Sequence, residues 1–173
     1  MSFYGDPDEL DRIAGEIEKQ AEHVRTRGGE LDTRAAAMRW KSVAADRCRE
    51  TVHGDRRNLD EIAQRLDDAA AILRRHAQEV RELIAKIKQI EESVVNWFNG
   101  AIDRFNRAVD SFRNAVNDAV DAVGNFLGFG GGAPPEPPTP PWQNWPHQPG
   151  NLPPSGDKAW LDVGTFMRGQ GVL

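Results

Sequence analysis

The side chains able to do chemistry are few in this sequence, and their spacing does not suit it. Four histidines stand at His23, His53, His76 and His147. No two have the three- or four-residue spacing that puts two metal ligands on one helix face. His76 with Glu79 is a lone i,i+3 pair, which reads as a surface contact. Cys48 is the only cysteine, so an intrachain disulfide and a cysteine-based zinc cluster are excluded. At an apolar seam position, Cys48 is expected to be a small buried residue. No serine sits in a nucleophile elbow, and the carboxylates alternate with arginines as they do on solvated helix faces. Gly128-Phe129-Gly130-Gly131-Gly132 is not preceded by a strand or followed by Lys-Ser/Thr, so it is no phosphate loop. The expectation is a protein with no catalytic residue, no metal and no cofactor.

Composition narrows the partners. A net charge of -5 with 28% charged residues gives no basic face for nucleic acid. No apolar run reaches the 18 residues of a membrane span. The opening Met1-Ser2-Phe3-Tyr4-Gly5-Asp6 has neither a basic nor an apolar signal region, so no cleaved secretory signal is expected. Arginine and alanine are abundant, and their GC-rich codons point to a GC-rich bacterium.

The elements that carry these residues are set off by proline. Pro7 comes first, and the other ten prolines lie between Pro134 and Pro154. A long helical body followed by an extended tail is expected. Asp6 is suited to cap a first helix, Pro7 to its first position and Glu9 to closing a capping box. Leu10, Ile17, Val24, Leu31 and Met38 then recur every seven residues, with Ala14, Ala21, Gly28 and Ala35 beside them as a row that admits a close partner. A second helix starts near Val43. Its first row is Ala45, Val52, Leu59, Leu66, Leu73, Val80, Ile87 and Val94, a sustained heptad pattern. Its second row is Cys48, Ile62, Ala69, Leu83, Ile90 and Trp97. Asn99-Gly100 reads as a helix stop, which puts a third helix at 99–127. Its apolar face is Phe98, Ile102, Phe105, Val109, Phe112 and Val116, and it is expected to fold back on helix two. Residues 128–173 read as a glycine hinge and an extended, disordered Pro/Trp-rich tail anchored by Trp142, Trp145 and Trp160. Trp160, Val163 and Met167 have helical spacing, so a short docked helix is the alternative for that end.

Between the first two helices lies Met38-Arg39-Trp40-Lys41-Ser42-Val43-Ala44-Ala45-Asp46, read as a tight turn at 39–43 with Trp40 folded between the helix ends. The run Trp40-Lys41-Ser42-Val43-Ala44-Ala45 resembles the turn of the WXG family of type VII secretion substrates, where Trp-x-Gly joins two antiparallel helices. Tyr4-Gly5-Asp6-Pro7-Asp8-Glu9-Leu10 is similar to the opening of related N-terminal secretion-signal domains of exported actinobacterial proteins. Together these resemblances span residues 3–92. Ser42 stands where the family has glycine, and Cys48 where an aromatic is common. The family's Tyr-x-x-x-Asp/Glu export signal is absent after helix two, and Tyr4-x-x-x-Asp8 matches it only at the opposite end.

The resulting expectation is an all-α protein: an antiparallel WXG-like helical hairpin over 1–98, a third amphipathic helix and a tail. The resemblance implies a non-enzymatic type VII substrate or secretion partner, exported without a cleaved signal peptide and otherwise cytoplasmic. Its partner would be another helical-hairpin protein or a second copy, paired as a four-helix bundle, together with the secretion machinery. Two other readings stay open: a cytoplasmic coiled-coil scaffold that recruits through its proline tail, and a peripheral membrane protein acting through helix three.

Overall fold

The computed structural model describes residues 5–125 and 136–173. They are all-α: α1 (Pro7–Ala36), α2 (Val43–Asn125) and α3 (Trp160–Gly169), with no strand among the described residues. The chain forms two compact units, Met1–Leu83 and Ile84–Leu173.

In the first unit α1 starts where its residues direct. The Asp6 carboxylate accepts a hydrogen bond from the Asp8 N–H at 3.0 Å, and Pro7 takes the first helical position, where a missing N–H costs nothing. Glu9 does not close the capping box. Its carboxylate instead pairs with Arg12 at 2.7 Å, one turn further on. α2 opens on Ser42, whose Oγ accepts from the Ala45 N–H at 3.1 Å. A serine at this point of the turn therefore caps a helix.

Side-chain size sets the packing of α1 on α2. Ala14, Ala21, Gly28 and Ala35 are buried on α1, and Ala63, Ala70 and Ala77 on α2. Ion pairs fix the direction. Asp11 meets Arg81, Glu18 meets Arg74 and Arg25 meets Asp67. Each step of seven up α1 is matched by seven down α2, so the two segments run antiparallel. Along α1 the expected second row of α2 is corrected: Cys48, Ile62 and Ala69 are exposed, whereas Ile90, further along the same row, is buried. The buried row is displaced by one residue from it, because helices this close accept only small side chains at the line of approach.

In the second unit the expected turn at Asn99-Gly100 does not form, and α2 continues to Asn125. The stripe shifts by one residue there for a geometric reason. A seven-residue repeat drifts by about 20° per heptad on a straight helix. A one-residue slip after seven heptads restores about 100° of that drift and keeps the apolar stripe on one side. Phe98 and Ala101, which flank the glycine, are both buried, and their packing outweighs the local stop signal.

The expected disordered tail is also corrected. Residues 136–154 turn against α2, with Gln143 N–H donating to Pro140 O and Trp145 N–H to Trp142 O, each at 3.0 Å. Trp97 stacks on Trp145 with ring centroids 5.2 Å apart, and Trp142 meets Phe98 and Phe105 edge-on at 6.0 Å. The Glu91 carboxylate accepts from Ser155 Oγ at 3.1 Å and from the Gly156 N–H at 3.2 Å. Gly156 has φ +74, a conformation open to glycine. Trp160 Nε1 donates to Pro154 O at 2.9 Å, and Trp160, Val163 and Met167 are buried. The short-helix alternative for this end is thus the one observed. Gly164 lets α3 touch α2, since a Cβ there would lie 2.8 Å from Ile90 Cγ2. Three tryptophans supply apolar area to offset the entropy of ordering, and the prolines reduce that entropy. The glycine run 128–132 lies outside the described residues.

Candidate partner-binding surface

The antiparallel pair of the first unit has two unlike flanks, one on each side of its buried alanine row. On one flank, α1 presents residues spaced at 11, 18, 25 and 32, and α2 presents 60, 67, 74 and 81. Arg81 bridges Asp8 at 2.6 Å and Asp11 at 2.7 Å, and Arg74 holds Glu18 at 2.7 Å. Arg25 pairs with Asp67, and Asp32 lies 3.7 Å from Arg56 and 3.5 Å from His53 Nδ1. Donating hydrogen bonds to the carboxylates of Asp8 and Asp11 raises the guanidinium of Arg81 above its ordinary pKa, and donating to Asp67 does the same for Arg25. Exposed pairs of this kind are each worth about 0–1 kcal/mol. Their main effect is to fix the register and close this flank to apolar partners.

On the opposite flank the same register sets Leu10 level with Val80, Ile17 with Leu73, Val24 with Leu66, Leu31 with Leu59 and Met38 with Val52. Val80 is buried; Leu10, Ile17, Val24, Val52, Leu59, Leu66 and Leu73 are half-buried; Leu31 and Met38 are exposed, Leu31 at 53%. Ile13 and Ile62 extend the flank outward and are also exposed. The expected seam residues therefore do not meet at the line of closest helix approach. They form an open apolar strip beside it. Ile87, expected in the same seam, belongs to the core of the second unit.

The turn departs most from expectation. Trp40 is 71% exposed rather than folded between the helix ends. Helices spaced by alanine and glycine leave no room for an indole. Arg49 also fixes the turn backbone: its Nη2 donates to the carbonyls of Met38 at 2.8 Å and Trp40 at 2.7 Å, while Nη1 pairs with Asp46 at 2.7 Å. Ala45 is buried; Lys41, Ser42 and Ala44 are exposed. A cavity of about 510 Å3 opens here, lined by Met38, Arg39, Trp40, Lys41, Ser42, Val43, Asp46 and Arg49. Sequence reasoning passed over Arg49, since its partners are backbone carbonyls nine and eleven residues back.

In the second unit Phe98 is buried, while Ile102, Phe105, Val109, Phe112 and Val116 are half-buried along one side of α2. Trp142 and Trp160 are buried and Trp145 is half-buried. Among the described residues no three His, Cys, Asp or Glu side chains are grouped to hold a metal ion, and no helix is long and apolar enough to cross a membrane. No protein-family model, curated protein or solved structure matches the chain.

Proposed function

We propose that this chain is a non-enzymatic binding protein that works by helix-on-helix recognition, as a substrate or secretion partner of a type VII secretion system. The open apolar flank of the first unit carries this reading. A row of Leu10, Ile17, Val24, Leu31 and Met38 beside Val52, Leu59, Leu66 and Leu73 is more apolar surface than two helices can cover for themselves. A second antiparallel pair, from another helical-hairpin protein or a second copy, would close it as a four-helix bundle. The ion-paired flank leaves one side for that partner. The type VII assignment adds the resemblance of the Trp40 turn and of the opening before Leu10. With no Tyr-x-x-x-Asp/Glu after residue 92, the partner would supply the export signal.

A cytoplasmic scaffold is the weaker reading, because the proline segment it would recruit through packs against α2. The same holds for a membrane role of residues 98–116, since Phe98 and Phe105 face Trp142. The deciding experiment is fractionation of the source strain with and without a working type VII ATPase. ATPase-dependent appearance of the chain in the medium is expected. Retention in washed cells under both conditions, with a clean lysis control, would overturn the secretion reading.

A further inference from the structure

We propose that the turn between α1 and α2 is a second recognition site, separate from the apolar flank. Its occupant is an acidic segment of a partner protein that inserts one apolar side chain beside Trp40.

Three observations converge on this. Met38, Trp40 and Val43 are all exposed large apolar residues, with Trp40 and Val43 both at 71%, and all three line the turn cavity. The turn is also fixed in place. Arg49 holds two of its carbonyls and Ser42 caps the helix that follows. A tryptophan presented on a rigid turn loses little conformational freedom on binding, and Trp and Arg are the side chains over-represented at binding hot spots. Finally, residues 34–49 carry Arg34, Arg39, Lys41, Arg47 and Arg49 against the single carboxylate of Asp46, in a chain whose net charge is -5. Asp46 is paired with Arg49, while Arg39 and Lys41 form no ion pair among the described residues. The result is a local basic end on an acidic chain.

Charge complementarity makes the occupant acidic, and an exposed indole beside a cavity of about 510 Å3 calls for an apolar anchor. The backbone of the turn is held by Arg49 through two carbonyls, and a surface fixed in this way favours a discrete protein segment over a fluid anionic membrane, which would need only an exposed tryptophan and surrounding cations. This proposal does not depend on the secretion reading.

The test uses the full chain and a phage-displayed library of random peptides about twelve residues long. Expected are peptides with Asp and Glu flanking a Leu, Phe or Trp, whose binding weakens as salt is raised. Their affinity should fall roughly tenfold or more with Trp40→Ala, and again with Arg39→Glu/Lys41→Glu. Trp40→Phe should restore part of it. Arg75→Ala, an exposed position on α2 away from the turn, should leave it unchanged. Circular dichroism and melting of each variant should match the parent, because the substituted side chains are exposed. Failure to recover any peptide would overturn the proposal. So would peptides with no acidic bias, or binding indifferent to Trp40→Ala. Trp40-dependent co-sedimentation with vesicles of phosphatidylglycerol and phosphatidylcholine, without acidic-peptide binding, would identify a membrane site instead.

Discussion

Two glycines on helices show how much a single position depends on what lies opposite. At Gly28 an added Cβ would sit 3.4 Å from Leu59 Cδ1, an ordinary contact. Gly28→Ala should therefore gain helix propensity without a clash and raise stability by about 0.5–1 kcal/mol in urea unfolding. At Gly164 the same Cβ would meet three atoms of buried Ile90 at 2.8–3.2 Å. Gly164→Val should cost about 1–3 kcal/mol and shift tryptophan emission to the red as α3 lifts. If both variants gave the same sign, close approach would not be what separates the two positions. Tryptophans divide in a similar way. Trp160→Ala should cost about 3–5 kcal/mol, whereas Trp40→Ala should cost under about 1 kcal/mol. Sequence alone could not separate those two, since residue type argues for burying both. Trp40 is turned outward by Arg49 and by the narrow alanine-lined contact, and neither is visible from the neighbours of Trp40 in the chain.

At the scale of the element, the heptads located α1 and the start of α2 and identified the alanine row of α1 as a close contact. They misplaced the matching row of α2 by one residue, because hydropathy ranks Ile62 above Ala63 while close packing selects the smaller side chain. The stop expected at Asn99-Gly100 failed because Phe98 and Ala101 are buried against partners distant in sequence, and no local signal reports that. The proline segment was misread for the same reason: its composition resembles an extended tail, and the aromatic residues that hold it lie some 40 residues back on α2. Charge at this scale gives a pH prediction. Hydrogen bonds from Arg12 and Lys19 hold the carboxyls of Glu9 and Glu16 below their ordinary range. A folded-state pKa below the unfolded value means the stability is present above the unfolded pKa and is lost as pH falls through the folded one. Melting followed by circular dichroism should therefore show a falling transition temperature as pH drops below the ordinary carboxylate range. A transition that rose on acidification would show that these pairs contribute nothing to the fold.

At the scale of the whole molecule, the two units finish the apolar side of α2 in different ways. In the second, Ile87, Ile90, Val94 and Phe98 are buried in a core shared with the chain's own C-terminal segment. In the first, α1 covers only the alanine row and leaves the strip from Leu10 to Met38 beside Val52 to Val80 partly open. That strip is the surface through which the molecule should associate. Ile13 and Ile62 lie on its outer edge and are exposed, so Ile13→Lys/Ile62→Lys removes apolar contact area from an assembly without opening a cavity in the chain itself. In sedimentation equilibrium the parent should rise above its 19.3 kDa chain mass with concentration, and its melting temperature should rise in parallel, as mass action requires. The double variant should stay at the chain mass and melt at the temperature of the dilute parent. If the variant associated as well as the parent, the open flank would not be the interface. If the parent itself stayed at 19.3 kDa with a concentration-independent melt, self-pairing would be excluded, leaving an unlike helical pair as the partner to be sought on that flank.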